Sequence, residues 1–441
     1  MKAKLVPLYF PSGRDAGFDA QLANLKNLLA GEAELLAPVA LGDKIPKADA
    51  VLFPQLLGEA YRRLADFKKI KIPILLVTSE FGTLSMWDWE IASYLRTEGV
   101  ETVAPYDLNQ TRMLCKTLSA KRELRSAKFL VFQDKPGEAG CQPAIFKRFY
   151  WWEDECIERI RDRFGVTVVK KSLEDLCRRA AKVTDAEAQK LLKGLDLPSE
   201  GLSQKNFVSA IKLYAILKQE AENDEHICGM GTNCLNESHF SDTTPCIAWN
   251  LLYKEKGIVW ACEGDVSSLM TMVLLNHSLG EHAMMTNIYP FLMGMTALKH
   301  ERITSFPKVT GNPDNHILLA HCGYFGLVPQ CMAAGWILRP KALAIVDENA
   351  HVIDGRMPVG PITMAKLDPA FSRIQIIEGS LKDYAQFPGS DCRNGAVVEI
   401  ADGHMLMRKA YSHHQCLMAG HWLNNLRLMS PLMGLTIETL A

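Results

Sequence analysis

The sequence lacks the features that define several large classes of protein. No apolar run reaches the roughly 18 residues that a membrane-spanning helix needs, and the N-terminal MKAKLVPLYFPSGRD contains no signal-peptide body or small-residue cleavage site. The formal net charge of the 441 residues is only −1, so there is neither a basic field for nucleic acid nor an acidic tail. We therefore expect a cytoplasmic protein without a nucleic-acid or membrane partner.

Two kinds of local signature are also missing. The chain has 12 cysteines, but no CxxC pair occurs among them, which argues against a zinc ribbon. Their scattered positions fit reduced thiols in a cytosolic protein better than a disulfide framework. Neither GxGxxG nor GxxxxGK[ST] is present, so the sequence does not support a nucleotide-binding domain.

What is present is a globular composition, with 48% hydrophobic and 22% charged residues, in a chain long enough for several domains. The first 122 residues alternate short apolar runs with amphipathic segments. This alternation predicts a parallel sheet covered by helices. The predicted strands are 4–9, 48–53 and 72–78, and the predicted helices are 17–31, 57–68 and 86–98. Pro7 favours an edge position for the first strand, because proline cannot donate to a ladder.

A second alternation begins at Ala127, and the character of the chain changes again beyond about residue 290. The later segments are short and extended, which indicates antiparallel strands. The predicted elements are a strand over 128–132, helices over 144–164 and 242–255, and extended segments over 362–367, 373–378, 395–400 and 405–409. We therefore predict an α/β protein. Two Rossmann-like parallel-sheet domains (1–124 and 125–290) would precede a β-rich, antiparallel barrel-like domain (291–441).

The most informative stretch joins an apolar strand, 257–261, to the sequence Cys-Glu-Gly-Asp and then to a helix predicted over 266–278. Glu263 and Asp265 thus follow the carboxyl end of a strand, where ligands bind in open α/β sheets. Glu263 is a candidate metal ligand or proton-transfer base. The alternative is that both carboxylates only cap the helix.

Three further positions carry residue types that complement this carboxylate: Asn287, His321 and the pair His413-His414. One carboxylate with imidazoles suits a divalent transition metal such as Mn²⁺. Each position alone is a weak signal, because a single buried histidine is more often a hydrogen-bonded core residue. Cys322, beside His321, is interpreted as a small packing residue, with a thiolate ligand as the alternative.

Several separated phrases occur in an order that resembles the L-fucose isomerase and L-arabinose isomerase superfamily, and most of all its shorter fucose-isomerase-like members. They are ACEGDVSSLMTM, LLAHCGYFG, GPITMAKLDPAFSRIQIIEGS and AYSHHQCLMAGHW. The likeness extends from about residue 230 to 422, and the N-terminal third agrees in architecture only. It implies an aldose–ketose isomerase that moves a proton between C1 and C2 of a pentose or 6-deoxyhexose through an enediol, with Mn²⁺ or another divalent metal. It also implies a homo-oligomer, trimeric or hexameric.

The resemblance implies that Glu263, Asn287, His321 and His414 are metal ligands, with Glu263 and Asn287 also in the acid/base positions. His414 is favoured over His413 because the second histidine of the pair is the ligand in the arabinose-type pattern. The departure is Asn287, where the pattern calls for a carboxylate. An amide coordinates metal weakly and cannot serve as a base, although Asp265 or a neighbouring subunit could compensate.

The sequence therefore supports two main hypotheses. The first is an active metal-dependent isomerase, and the second is a catalytically degenerate relative that binds a sugar without isomerising it. Epimerisation through the same enediol is a third possibility. Exchanging Asn287 for aspartate would separate the first two, because a carboxylate there would restore metal affinity only if the position is a ligand.

Overall fold

The computed structural model describes residues 1–55, 57–135, 153–290, 308–387 and 392–440. Contacts within the chain group it into two compact units. The first contains Met1–Arg125, His277–Gly280 and Asn424–Gly434, and the second contains Ser126–Asn276, Glu281–Leu423 and Leu435–Ala441.

The first unit is built on a parallel sheet with strand order β2-β1-β4-β5, in which β3 also pairs with β1. Its strands are β1 (Ala3–Tyr9), β2 (Ala33–Leu35), β3 (Val39–Ala40), β4 (Ala50–Phe53) and β5 (Ile74–Leu76). Its helices are α1 (Ala16–Leu28), α2 (Leu64–Phe67), α3 (Trp89–Thr97) and α4 (Leu108–Leu124). The predicted alternation of strands and helices in this region is confirmed.

The edge position predicted for the first strand is wrong, because β1 lies inside the sheet between β2 and β4. The structure shows how Pro7 is accommodated there. On one side, β1 pairs with β2 through residues 3–5 and with β3 through residues 8–9. Pro7 falls in the gap between these two short partners, where the missing N–H interrupts no ladder.

The second unit begins with another parallel sheet, of order β7-β6-β8-β9. Its strands are β6 (Lys128–Phe132), β7 (Thr167–Lys171), β8 (Ile227–Thr232) and β9 (Val259–Ala261). The helices in this part of the chain are α5 (Asp154–Phe164), α6 (Leu173–Ala180), α7 (Asp185–Leu192), α8 (Gln204–Glu222), α9 (Cys246–Lys256) and α10 (Val266–Leu279). Of the helix predicted over 144–164, the part 144–152 lies outside the described residues.

The second unit also contains a closed antiparallel barrel of six strands. They are β10 (Met284–Pro290), β11 (His316–Ala320), β14 (Gly360–Leu367), β15 (Arg373–Gln386), β16 (Asn394–Ile400) and β17 (His414–Ala419). The order is β14-β17-β10-β11-β16-β15, and β15 pairs back onto β14. Strands β12 (Gly335–Pro340) and β13 (His351–Arg356) form a separate pair, and β18 (Thr436–Thr439) runs parallel to β15. The predicted fold class, two parallel-sheet regions followed by an antiparallel barrel, is thus confirmed.

One predicted strand is wrong, because residues 405–409 lie in helix α11 (Gly403–Lys409). The side chain of Asp402 accepts a hydrogen bond of 2.9 Å from the backbone N–H of Met405 and so caps this helix. Leu406 is buried against the unit. A local cap and one buried leucine thus outweigh the extended pattern of the sequence. The last helix, α12, covers Leu423–Leu432.

Among the residues that the structure describes, no helix combines the length and the apolar character that crossing a membrane would require.

Candidate metal centre

The centre begins at the turn that follows β9. Glu263 adopts left-handed backbone angles (φ 58°, ψ 14°), and Gly264 follows with φ 66°. The turn packs closely on β8, because a Cβ atom added to Gly231 would lie 3.1 Å from the carbonyl oxygen of Ala261 and 3.4 Å from Cα of Gly264. Glycine at 231 therefore permits the close approach, and the unusual backbone of Glu263 is held in place by its surroundings.

Glu263, His321 and His414 come together inside the second unit. Oε1 of Glu263 lies 3.5 Å from Nε2 of His321 and 3.9 Å from Nε2 of His414. His321 directly follows β11, and His414 is the first residue of β17. All three side chains are buried, and their potential ligand atoms lie within 4.8 Å of one another. The three residues therefore form a buried group that could hold a metal ion.

The donors fit a divalent transition metal. One carboxylate and two imidazoles are the ligand types that such ions accept readily. Donor atoms about 2.1 Å from a common ion lie about 3 to 4 Å from one another, and both distances from Oε1 of Glu263 to the imidazole nitrogens fall in this range. Nε2 of His321 is buried and has no hydrogen-bond partner within the described part of the chain. A buried nitrogen of this kind is costly without a partner, and a bound cation would provide one.

Asp265 does cap α10, as the alternative interpretation of the sequence proposed, and it also supports the centre. Its Oδ1 accepts a 2.8 Å hydrogen bond from the backbone N–H of Ser268. Its Oδ2 accepts bonds from the hydroxyl of Ser268 (2.6 Å), from Nζ of Lys366 (3.1 Å) and from Nδ1 of His414 (2.9 Å). Asp265, Lys366 and His414 have no exposed side-chain surface. The capping hypothesis therefore describes Asp265, whereas Glu263 faces the histidines.

This network determines the charge of His414 and which of its ring nitrogens carries the proton. Burial lowers the pKa of His414 well below its usual value, so the ring is neutral near pH 7. Although burial raises the pKa of Asp265, the charge of Lys366 and the bond from His414 hold it well below its usual range. Because an ionised carboxylate only accepts, Nδ1 of His414 carries the proton and Nε2 presents its lone pair towards Glu263.

His321 has a second polar neighbour on its other ring nitrogen. Nδ1 lies 3.1 Å from Sγ of Cys322. Burial lowers the pKa of His321, but Cys322 and Glu263 outweigh it and raise the pKa to about 9. The hydrogen bond from Cys262 lowers the pKa of the Cys322 thiol despite its burial, and His321 adds to this effect. The ring can therefore offer Nε2 to a cation after it loses a proton.

Asn287 lies in β10, directly opposite His414 of β17 in the antiparallel ladder. Residues opposite each other in such a pair project from the same face of the sheet. Its Nδ2 donates a 3.2 Å hydrogen bond to the hydroxyl of Tyr289, and its Oδ1 is buried with no hydrogen-bond partner among the described residues. His413, the less favoured member of the pair, is exposed.

Lys366 is the residue of the centre that sequence reasoning missed. It lies in β14 and is completely buried against Asp265. The signal was a lone lysine within the otherwise apolar run of the strand GPITMAKL. A buried lysine requires a paired anion, and the sequence alone did not say which one.

Comparison with models of known protein families gives no match, and comparison with curated proteins gives none either. What the centre can do follows from its own residues: a cation site beside a carboxylate that can carry a proton.

Proposed function

We propose that the chain is a metal-dependent aldose–ketose isomerase that acts on a pentose or a 6-deoxyhexose through an enediol. The buried group of Glu263, His321 and His414 carries this proposal. The resemblance of the surrounding phrases to the fucose and arabinose isomerase superfamily supports it. We propose Mn²⁺ as the ion, because it accepts carboxylate, imidazole and amide oxygen ligands together.

Glu263, His321 and His414 would hold the ion, with Oδ1 of Asn287 as a fourth protein donor. The bound cation would supply positive charge beside two adjacent sugar oxygens, where negative charge develops as the proton leaves carbon. Asp265 and Lys366 orient His414, because Nδ1 is committed to Asp265 and Nε2 faces Glu263.

Glu263 is the residue we assign as the base. Asp265 cannot compensate for Asn287, because its oxygens already accept bonds from Ser268, Lys366 and His414 and its pKa is held low. Asn287 has no site that takes up a proton. One carboxylate suffices for the carbon-bound proton if it removes that proton from one carbon and returns it to the adjacent carbon on the same face, while the hydroxyl proton passes between the two neighbouring sugar oxygens. We therefore propose a one-base transfer.

The second candidate function is sugar binding without isomerisation, and Asn287 is the observation that favours it. An amide in place of a carboxylate removes one negative charge from the centre and so weakens divalent-metal binding. This hypothesis predicts that a sugar binds whether or not metal is added, and that no carbon-bound proton exchanges.

The test follows the reaction in D₂O. The purified chain with Mn²⁺ is incubated with a panel of pentoses and 6-deoxyhexoses, and NMR records both ketose formation and deuterium at C1 and C2. Both readouts are needed, because a one-base enzyme that returns its proton quickly forms ketose with little deuterium. We expect turnover of at least one sugar with partial retention of the original proton.

Glu263→Gln should abolish turnover and exchange, while Glu80→Gln, an exposed carboxylate of the first unit, should keep both. If the folded, Mn²⁺-loaded chain neither forms ketose nor incorporates deuterium, the isomerase proposal fails for the sugars tested. Calorimetric binding of one of those sugars would then favour the second candidate.

A further inference from the structure

We infer that Cys234, Cys262 and Cys322, together with Nδ1 of His321, form a second metal site that takes a thiophilic cation of the Zn²⁺ class. This site shares His321 with the proposed isomerase centre but uses Nδ1, whereas the isomerase centre would use Nε2. A neutral imidazole offers a single lone pair, so the ring serves both sites at once only when both of its ring protons are lost. The ligands of the second site are thiols and the ring nitrogen that faces away from Glu263.

The topology brings the three cysteines to one place. Each follows the carboxyl end of a strand within two residues: Cys234 after β8, Cys262 after β9 and Cys322 after β11. Strands β8 and β9 are neighbours in the parallel sheet, so their ends lie at one edge. The end of β11 places His321 and Cys322 at the same edge.

The distances match one small coordination sphere. Sγ of Cys234 lies 3.5 Å from Sγ of Cys262. The ligand atoms of Cys262, His321 and Cys322 all lie within 4.8 Å of one another. In a tetrahedral zinc site, sulfurs about 2.3 Å from the ion lie about 3.8 Å apart. Small side-chain shifts therefore convert the observed cluster into three sulfur donors and one nitrogen donor.

The backbone supports the arrangement at Cys322. Successive side chains of an extended strand point to opposite faces, so a regular strand would separate His321 from Cys322. Cys322 instead has φ 55°, and its thiol lies 3.1 Å from Nδ1 of the preceding imidazole. Such a left-handed non-glycine residue carries conformational strain and is common at ligand sites.

The space beside the thiols is large enough for an ion. A cavity of about 30 Å³ is lined by Cys234, Cys262 and Cys322, with apolar neighbours that include Trp249. That volume suits a single ion or water molecule. Cys234 and Cys322 are only partly buried as residues, whereas Cys262 is fully buried.

The two sites differ in the ions they select. Glu263 and His414 offer oxygen and nitrogen, which suit Mn²⁺, whereas thiolates select Zn²⁺ and softer ions. The imidazole of His321 lies between them, with Nε2 3.5 Å from Glu263 and Nδ1 3.1 Å from Cys322.

The test uses Cd²⁺ as the probe, because its bonds to thiolates give ultraviolet charge-transfer absorbance. We expect one Cd²⁺ per chain at saturation. Cys322→Ser, Cys262→Ser and Cys234→Ser should each weaken the binding by at least the roughly 10- to 100-fold that loss of a supporting ligand partner costs. Cys177→Ser is the matched control, since Cys177 is a buried thiol of the same unit that does not line the cavity. Equal losses in all four variants would overturn the inference.

Two further measurements keep the result independent of folding defects and of the isomerase proposal. Glu263→Gln should keep the Cd²⁺ absorbance while it loses Mn²⁺ binding, and loss of the Cd²⁺ signal in this variant would overturn the separate site. X-ray absorption of the unmodified chain loaded with Zn²⁺ should show sulfur in a majority of the ligand positions. A Zn²⁺ coordination shell of oxygen and nitrogen ligands alone would also overturn the proposed thiolate site.

Discussion

The two parallel sheets of this chain have the same kind of architecture and very different chemistry. Residues 1–125 contain no histidine and only one of the 12 cysteines, whereas every histidine lies in residues 126–441. In the first unit, β4 is followed by Pro54 and Gln55. In the second, β9 is followed by Cys262 and Glu263, and Glu263 faces two histidines.

This difference shows that the sheet offers a position for a site and that individual residues decide whether one exists. The carboxyl edge of a parallel sheet is suited to ligands in both units. Among the described residues, groups of histidine, cysteine and carboxylate that could hold a metal occur in the second unit alone. Function therefore has to be argued from the residues at the edge and not from the fold. A change at the centre, paired with a matched change in the first unit or at the surface, tests this contrast.

The largest expected effect is on stability, at Lys366. Its ion pair with Asp265 is completely buried, so Lys366→Met leaves a buried carboxylate without its cation. We expect the free energy of unfolding to fall by about 3–5 kcal/mol, measured by urea denaturation. Lys69→Met in the first unit breaks a pair with Asp66 in which the lysine is largely exposed, and it should cost under about 1 kcal/mol. Similar losses of unfolding free energy in the two variants would show that the buried pair contributes no more to stability than the exposed pair.

The next effect compares two buried carboxylates. Asp265→Asn removes the anion that orients His414, and it should weaken Mn²⁺ binding by about 10- to 100-fold. Asp88 of the first unit is also buried and accepts a 2.8 Å bond from the backbone N–H of Leu57. Asp88→Asn should leave Mn²⁺ affinity unchanged in the same calorimetric titration. An unchanged affinity in Asp265→Asn would exclude the positioning role.

How well the sequence predicts the fold depends on how local the signal is. Alternating apolar and amphipathic segments predict both parallel sheets, because each element must bury one face. The error at residues 405–409 arises because extended and helical patterns are alike in so short a segment. The hydrogen bond by which Asp402 caps the segment favours the helix there. Pro7 misleads because its tolerance in β1 depends on where the short strands β2 and β3 stop.

The same distinction applies to the centre. Glu263, His321 and His414 could be proposed from sequence because each lies at an end of a strand within a recognisable phrase. Lys366 and the cysteine cluster could not, since their partners are distant in sequence. Lys366 and Asp265 are 101 positions apart, and no spacing rule joins them. Asn287 could be flagged, but its position opposite His414 follows from the register of β10 and β17.

A smaller effect is expected at Asn287 and would sharpen the contrast by adding charge. Asn287→Asp places a carboxylate beside His414 and should raise Mn²⁺ affinity about tenfold, which corresponds to about 1.4 kcal/mol. Asn24→Asp makes the same change on α1 of the first unit and should have no effect. Calorimetric titration of both variants measures this. An unaltered affinity in Asn287→Asp would show that this position is not a ligand.

The smallest effect concerns acid stability, which should depend on the buried His351 of the second unit. His351 is buried, its Nε2 accepts a 3.0 Å bond from the backbone N–H of Ile247, and burial lowers its pKa to about 3. The unfolded chain binds a proton at this position below about pH 6.5, whereas the folded chain does so only near pH 3. The stability that depends on neutral His351 is therefore complete above pH 6.5 and is lost as the pH falls towards 3.

His351→Gln removes this dependence. The free energy of unfolding of this variant should therefore decrease less steeply, as the pH is lowered, than that of the unmodified chain. Between pH 6 and 5.5 the difference should stay below about 1 kcal/mol. His404→Gln, at an exposed side chain, is the control and should keep the original slope in urea denaturation across this range. Parallel slopes for the unmodified chain and His351→Gln would mean that another group sets the acid response.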